Sequence, residues 1–255
     1  MTSLGEMARH LMAGSESREA SCARHGAYTS RSLWLFDTVD WSGCPSCLAE
    51  RETERKAADV RARALRRLER AGVPLRFMGK RFEDYRATTR EQRIALLTAT
   101  DYAERFAVHG AEGRCLLFAG QPGTGKTHLA LAILKRVIAD GRSGRYVRAF
   151  ELIEAIRATW RKDADRREAD ALADYTSVDL LVLDEVGVQY GTEGEVVELF
   201  KVLDTRYLDL KPTVIIGNVD RDDLQRYLGE RAVDRLRESG GKFIAFDWPS
   251  ERPAI

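Results

Sequence analysis

Two groups of side chains in this 255-residue chain combine residue types and spacing that fit a specific chemistry. The first is "GQPGTGKT" at 120–127. Gly120, Gln121, Pro122, Gly123, Thr124 and Gly125 make a loop that lets backbone N–H groups converge on an anion, and Lys126, Thr127 and His128 open the helix that follows. Between a strand and a helix such a loop binds phosphate, because the helix N-terminus adds a favourable dipole. Lys126 is placed to contact β- and γ-phosphates, and the Thr127 hydroxyl to ligate Mg2+. A chance glycine-rich turn is the plainer alternative; the Gly-Lys-Thr order and the strand–loop–helix setting weigh against it. The companion motif is "LLVLDE" at 180–185. Asp184, ending an apolar strand, can hold magnesium through water, and Glu185 can polarise an attacking water, which favours hydrolysis over transfer to a small acceptor. Taken alone, the pair could be acids closing a strand at a surface. Asn218, ending "TVIIGN", fits a polar group between Glu185 and the γ-phosphate, although an asparagine after a strand is commonly a turn residue.

The second group is Cys22, His25, Cys44 and Cys47, spaced C-x2-H-x18-C-x2-C. Two-residue gaps let each pair curl around one ion, and four protein ligands leave no open position, so the pattern predicts a structural zinc site. Two unrelated clusters in a loose terminus is the alternative. The segment is otherwise too short for a core, and zinc could supply on the order of 10 kcal/mol of folding energy. Trp34, Phe36 and Trp41 are expected to pack around the site or to offer an aromatic face. Cys115 lies inside a strand and reads as a core thiol.

Helices alternating with short apolar runs must position the first group. Strands are predicted at 114–120, 145–150, 179–185, 213–218 and 242–248, with helices such as "THLALAILKRVIADG" and "EVVELFKVLDTRYLDL" between them. Continuous apolar strands of this kind imply a parallel sheet covered on both faces, an α/β fold. Residues 1–21, polar and small, are expected to be disordered; 22–49 form the zinc segment; 50–81 form a basic helix and linker; 82–255 form the nucleotide domain. From Arg51 to Arg81 basic side chains outnumber acidic ones by more than two to one, while the chain as a whole carries a net charge of +1. No apolar run approaches the ~18 residues that span a bilayer. The N-terminus lacks the apolar stretch of a signal peptide. A cytoplasmic protein without a membrane partner is expected, where cysteines bind metal or are buried more often than they form disulfides.

Order of elements, the Asp-Glu pair and the strand-terminal Asn resemble the AAA+ ATPases, and the chain ends soon after the fifth strand, so that a P-loop AAA+ core without the C-terminal lid domain is expected. Within that class, "FEDYRA" (82–87), "GQPGTGKTHLA" (120–130), "VDLLVLDEVGVQ" (178–189) and "LGERAVDRLRESGGKFIAFDWPSERP" (228–253) resemble the bacterial and phage helicase loaders of the DnaC/IstB type. The resemblance implies an ATPase that uses ATP and Mg2+ and binds a replicative DNA helicase and single-stranded DNA. It also implies an arginine finger at Arg235, an accessory arginine at Arg231 and a sensor arginine at Arg252. Arg231 and Arg235 lie four apart, hence on one helix face. Donation to a neighbour's phosphates would build a head-to-tail oligomer, whereas pairing with Glu230 or Glu238 would leave only a solvated surface. DNA-contact candidates are Arg157, Trp160, Arg161 and Lys162, each of which could equally be part of a solvated helix end. The runner-up is a transposase-helper ATPase acting on duplex DNA. A small-molecule phosphotransferase would need an acceptor pocket and lid that the sequence does not suggest.

Overall fold

The computed structural model describes residues 16–35, 38–188, 192–219 and 221–251. The chain divides into two compact units, Met1–Ala64 and Leu65–Ile255.

In the first unit β1 (Ser17–Cys22), β2 (Gly26–Leu35) and β3 (Thr38–Trp41) form an antiparallel sheet. β1 and β2 are a hairpin pairing Ser17 with Arg31 through to Cys22 with Gly26, so Cys22 ends β1 and His25 lies in the turn. This corrects the expectation that residues 1–21 are disordered: from Ser17 onward the backbone is paired in the sheet. The polar "SREASC" gave no alternating apolar signal because the strand is largely exposed. Next comes α1 (Pro45–Arg70), with proline in its first turn, where its missing N–H costs nothing. None of its residues is buried.

The second unit begins in the last turns of α1. Leu68, Ala71, Val73, Phe77 and Met78 pack into its core, so the expected linker over 50–81 is in fact divided, its end belonging to the nucleotide unit. Then follow α2 (Arg90–Glu104), α3 (Phe106–Ala111), β4 (Leu116–Gly120), α4 (Lys126–Ala139), β5 (Gly144–Arg148), α5 (Ala149–Ala158), α6 (Glu168–Thr176), β6 (Leu180–Val186), α7 (Glu193–Leu208), β7 (Thr213–Gly217), α8 (Arg221–Leu228), α9 (Glu230–Glu238) and β8 (Lys242–Phe246). All five strands are parallel, in the order β5-β6-β7-β4-β8. Side chains alternate across the sheet: Leu116, Phe118, Leu180, Val182, Val214 and Ile216 meet α2 and α4 on one face, while Leu117, Leu181, Leu183 and Ile215 meet α5, α7 and α9 on the other. Among the described residues β8 is followed by Asp247–Glu251 without a helix. No helix among the described residues is long and apolar enough to cross a membrane.

Candidate functional site: a phosphate-binding cleft

The strand order places the ends of β4, β6 and β7 side by side, and their C-terminal residues converge on one cleft of about 330 Å³. Pro122, Gly123, Gly125, Lys126, Thr127 and His128 line it, with Asp184 and Glu185 from β6 and Asn218 just past β7. The fold thus gathers the loop, the acid pair and the asparagine that the sequence singled out.

Each part has a local cause. Gly120 has φ +131°, and a Cβ there would lie 2.4 Å from the Phe246 carbonyl oxygen on neighbouring β8. Gly125 has φ +93°, and its Cβ would lie 2.5 Å from the Tyr85 ring. Both positions therefore require glycine. The loop is held from behind: Tyr85 OH and Trp248 Nε1 both donate to the Thr124 carbonyl (3.2 and 3.1 Å), and Glu251 N donates to the Gly123 carbonyl (3.0 Å). Thr124 Oγ1 donates to the Gln121 carbonyl at 2.8 Å. Buried Lys126 donates from Nζ to the carbonyls of Gly120 and Gln121 at 2.7 and 2.6 Å. His128 meets the Arg81 carbonyl at 2.6 Å, and burial lowers its imidazole pKa.

Asp184 is buried and accepts three hydrogen bonds: from Thr127 Oγ1 at 2.9 Å, from Tyr146 OH at 3.0 Å and from Glu185 N at 2.7 Å. Burial raises its pKa, opposed by those donors and by the charge of Lys126. Glu185 is also raised, by burial and then by the Asp184 charge, and takes φ +57°, the left-handed region that a non-glycine side chain rarely adopts. Hard oxygen donors from Thr127 and Asp184 beside a phosphate loop suit Mg2+. The residues at hand fit a magnesium-bound nucleoside triphosphate, with Glu185 a half-buried carboxylate of raised basicity beside it.

Sequence reasoning missed Tyr85, Tyr146 and Trp248, whose hydroxyl and indole groups reach the site by tertiary approach. It also missed a wall of the cleft made by Arg76, Phe77 and Lys80. Lys135 pins that wall to α4 by donating to the carbonyls of Phe77 (2.6 Å) and Lys80.

The two arginines of α9 are not among the residues that line the cleft. Arg235 donates to Asp204 (3.3 Å) and Glu238 (3.4 Å), and its guanidinium lies 4.7 Å from the centre of the Tyr207 ring. It lines a narrow depression with Gly113, Cys115, Lys211 and Thr213, at the N-terminal ends of β4 and β7, the end of the sheet away from the phosphate loop. Arg231, one turn earlier on the same helix, lines a groove with Gln225, Asp234 and Arg237. Arg252 and Phe36 lie outside the described residues, as does the side chain of Trp34. Trp41 carries the Arg18 guanidinium 4.0 Å above its ring. Of the DNA-contact candidates, Arg157 is held by both oxygens of buried Glu198 (3.1 Å each) and Trp160 Nε1 donates to Glu168 (2.9 Å), while Arg161 and Lys162 are exposed. Cys115 is a buried thiol with its pKa pushed up by burial, as expected of a core residue.

In the first unit the hairpin turn and the start of α1 bring Cys22, His25, Cys44 and Cys47 together, with all four ligand atoms within 4.8 Å of one another. His25 Nδ1 is 3.3 Å from Cys47 Sγ, 3.7 Å from Cys44 Sγ and 3.8 Å from Cys22 Sγ, and Cys22 Sγ is 3.6 Å from Cys47 Sγ. Tetrahedral zinc with bonds of about 2.3 Å to sulfur and 2.0 Å to nitrogen sets ligand atoms roughly 3.5–3.8 Å apart. The donor set fits that ion. Backbone hydrogen bonds from Arg24 and His25, with the His25 ring, lower the Cys22 thiol to about 6. The other ring nitrogen, His25 Nε2, meets Glu50 at 3.0 Å, the carboxylate partner that orients a metal-binding imidazole.

Comparison with known proteins gives the same picture. The replicative helicase loader DnaC of Escherichia coli K12 is 33% identical over 190 residues, 74% of this chain and 76% of the loader. DnaC of Buchnera aphidicola from Schizaphis graminum is 34% identical over 188 residues, covering 74% and 75%. The crystal structure of the DnaC helicase loader superimposes with a TM-score of 0.59 at 27% identity, covering 68% of this chain and 99% of that one, and shares the AAA+ fold. The DnaI structure, at 22% identity and TM-score 0.56 over 71% and 94%, shows the same fold. The model for the IstB-like ATP binding protein family matches residues 47–235, so the chain belongs to that AAA+ family of DnaC/IstB type.

Proposed function

We propose that this protein is a cytoplasmic ATPase that loads a replicative DNA helicase onto single-stranded DNA at the initiation of replication. The observation that carries this reading is the loader similarity over three-quarters of the chain, in a family match that spans the cleft from Arg76 to Asn218 and both arginines of α9.

In this reading the loop N–H groups and Lys126 hold the triphosphate of ATP. Thr127 and Asp184 would hold Mg2+, which would supply charge neutralisation to the triphosphate. Glu185 orients and deprotonates the attacking water, and Asn218 fixes Glu185 against the terminal phosphate. Arg235 acts on the nucleotide of the next copy. Its place at the far end of the sheet supports this, since five-residue strands of ~3.3 Å per residue separate it from its own phosphate loop. Head-to-tail repetition of that contact makes a ring or open spiral. Arg231 is the accessory arginine and Arg252 the sensor arginine. Cys22, His25, Cys44 and Cys47 hold zinc, and the unit they organise, with α1, docks on the helicase. Exposed Arg161 and Lys162 track the DNA phosphates.

The test uses the full chain with its host's replicative helicase, in ATP and in ADP, and a labelled single-stranded oligonucleotide. Co-elution with the helicase and salt-sensitive, ATP-dependent binding of the oligonucleotide are expected. No helicase complex, together with preference for duplex DNA and capture of a transposase, would establish the transposase-helper function instead.

A further inference from the structure

Tyr146, in β5, hydrogen-bonds the acid pair through its side chain. β5 and β6 pair in parallel with Arg148 opposite Asp184 and Tyr146 opposite Val182, so Tyr146 sits two residues before Arg148 on the same face. A side chain at that offset must be long to touch Asp184, and the phenol hydroxyl does so at 3.0 Å, on the Oδ2 atom that also accepts from Thr127. The backbone of Tyr146 is fixed from the opposite side. Its N–H donates to the Ala71 carbonyl at 2.7 Å, and a Cβ on Gly72 (φ +76°) would lie 2.7 Å from the Tyr146 carbonyl oxygen. The turn that ends α1 therefore seats directly on this residue, and a tyrosine held there presents its hydroxyl at a set place in the cleft.

We propose that Tyr146 is a positioning residue for the magnesium-binding carboxylate: its hydroxyl, clamped between the α1 turn and β6, holds Asp184 in the orientation that Mg2+ requires. The inference rests on the cleft being a magnesium–ATP site. Thr127 Oγ1 keeps its O–H for Asp184 while a lone pair faces the ion, and Tyr146 OH and Glu185 N are two further contacts that keep Asp184 in place.

The test is equilibrium binding of a fluorescent ATP analogue to the full chain, in EDTA and across a Mg2+ titration, for wild type and Tyr146→Phe, with thermal unfolding of both. Tyr146→Phe keeps the ring and loses only the hydroxyl. Its affinity in EDTA should change little and its melting temperature should fall by a few degrees, because buried Asp184 loses one donor, while the Mg2+ concentration for half-maximal binding rises roughly tenfold, as expected for one lost hydrogen bond to a charged group. An unchanged Mg2+ midpoint would overturn the proposal. So would an equal loss with and without Mg2+, which would make the residue a packing element. Wild-type protein that binds no analogue in either condition would instead overturn the magnesium–ATP reading of the cleft and the proposal with it.

Discussion

The unit from Leu65 onward buries leucine, isoleucine and valine on both faces of its sheet, whereas among the described residues the unit ending at Ala64 buries only Ser30, Ser32 and Cys44. A buried aliphatic side chain stabilises by about 1.5–3 kcal/mol, so the first kind of unit can stand on its core. The second has hairpin hydrogen bonds and four converging ligand atoms, with no apolar interior among its described side chains to offset the entropy of ordering. The two units thus answer to different chemistry: a core that tolerates strained, charged groups in its cleft, and a module whose fold is expected to depend on an ion.

The largest expected effect is that of depriving the Cys22, His25, Cys44 and Cys47 cluster of zinc. Zinc chelation, or Cys44→Ser, should unfold the N-terminal sheet, with a loss on the order of 10 kcal/mol of folding free energy, while ATP binding and the main thermal transition of the ATPase unit persist. Circular dichroism with zinc analysis checks this, and an N-terminal unit unmoved by chelation would erase the distinction. Next in size, Glu185→Gln should lower ATP turnover by about 10²–10⁴-fold, the usual share of a general base, with nucleotide affinity retained; a steady-state assay beside the binding titration reads both.

Smallest is the effect of Asp184→Asn on stability. Burial raises the pKa of this acid, so its ionised form costs the folded state free energy, and stability falls as pH climbs through the raised pKa. The neutral variant should melt a few degrees higher in metal-free buffer, on the scale of a ~1 kcal/mol gain, and should lose Mg2+-dependent turnover. A lower melting temperature would mean that the three donors to Asp184 outweigh its desolvation.

Residues whose role is set by local order were legible in the sequence. Gly120 to Thr127 had to follow a strand and open a helix, and the continuous apolar runs 116–118 and 180–183 announced a sheet buried on both faces. Boundaries were less so: the predicted strand 145–150 stops at Arg148, whose backbone N–H and guanidinium both donate to Glu151 as α5 begins. The hairpin from Ser17 carried no apolar alternation to betray it. Tyr85, Tyr146 and Trp248 were invisible because their polar tips act on a loop or carboxylate far away in sequence, and aromatic residues in apolar runs read simply as core. Arg206 belongs with them: fully buried, it donates to the carbonyls of Tyr175, Val178 and Pro212, tying α7 to the starts of β6 and β7. A helix register predicts only that such a side chain faces inward.

In the proposed mechanism a nucleotide bound by one copy is completed by Arg235 of the next. Lys126→Ala and Arg235→Ala proteins, each folded and each inactive alone, should recover a measurable fraction of wild-type ATP turnover when mixed, because an intact phosphate loop then faces an intact arginine. Arg235→Ala alone should fall by roughly 10³–10⁵-fold, the range for an arginine supplied to a neighbour. No recovery on mixing, or wild-type turnover that stays at full rate when the protein is diluted to isolated monomers, would contradict the account.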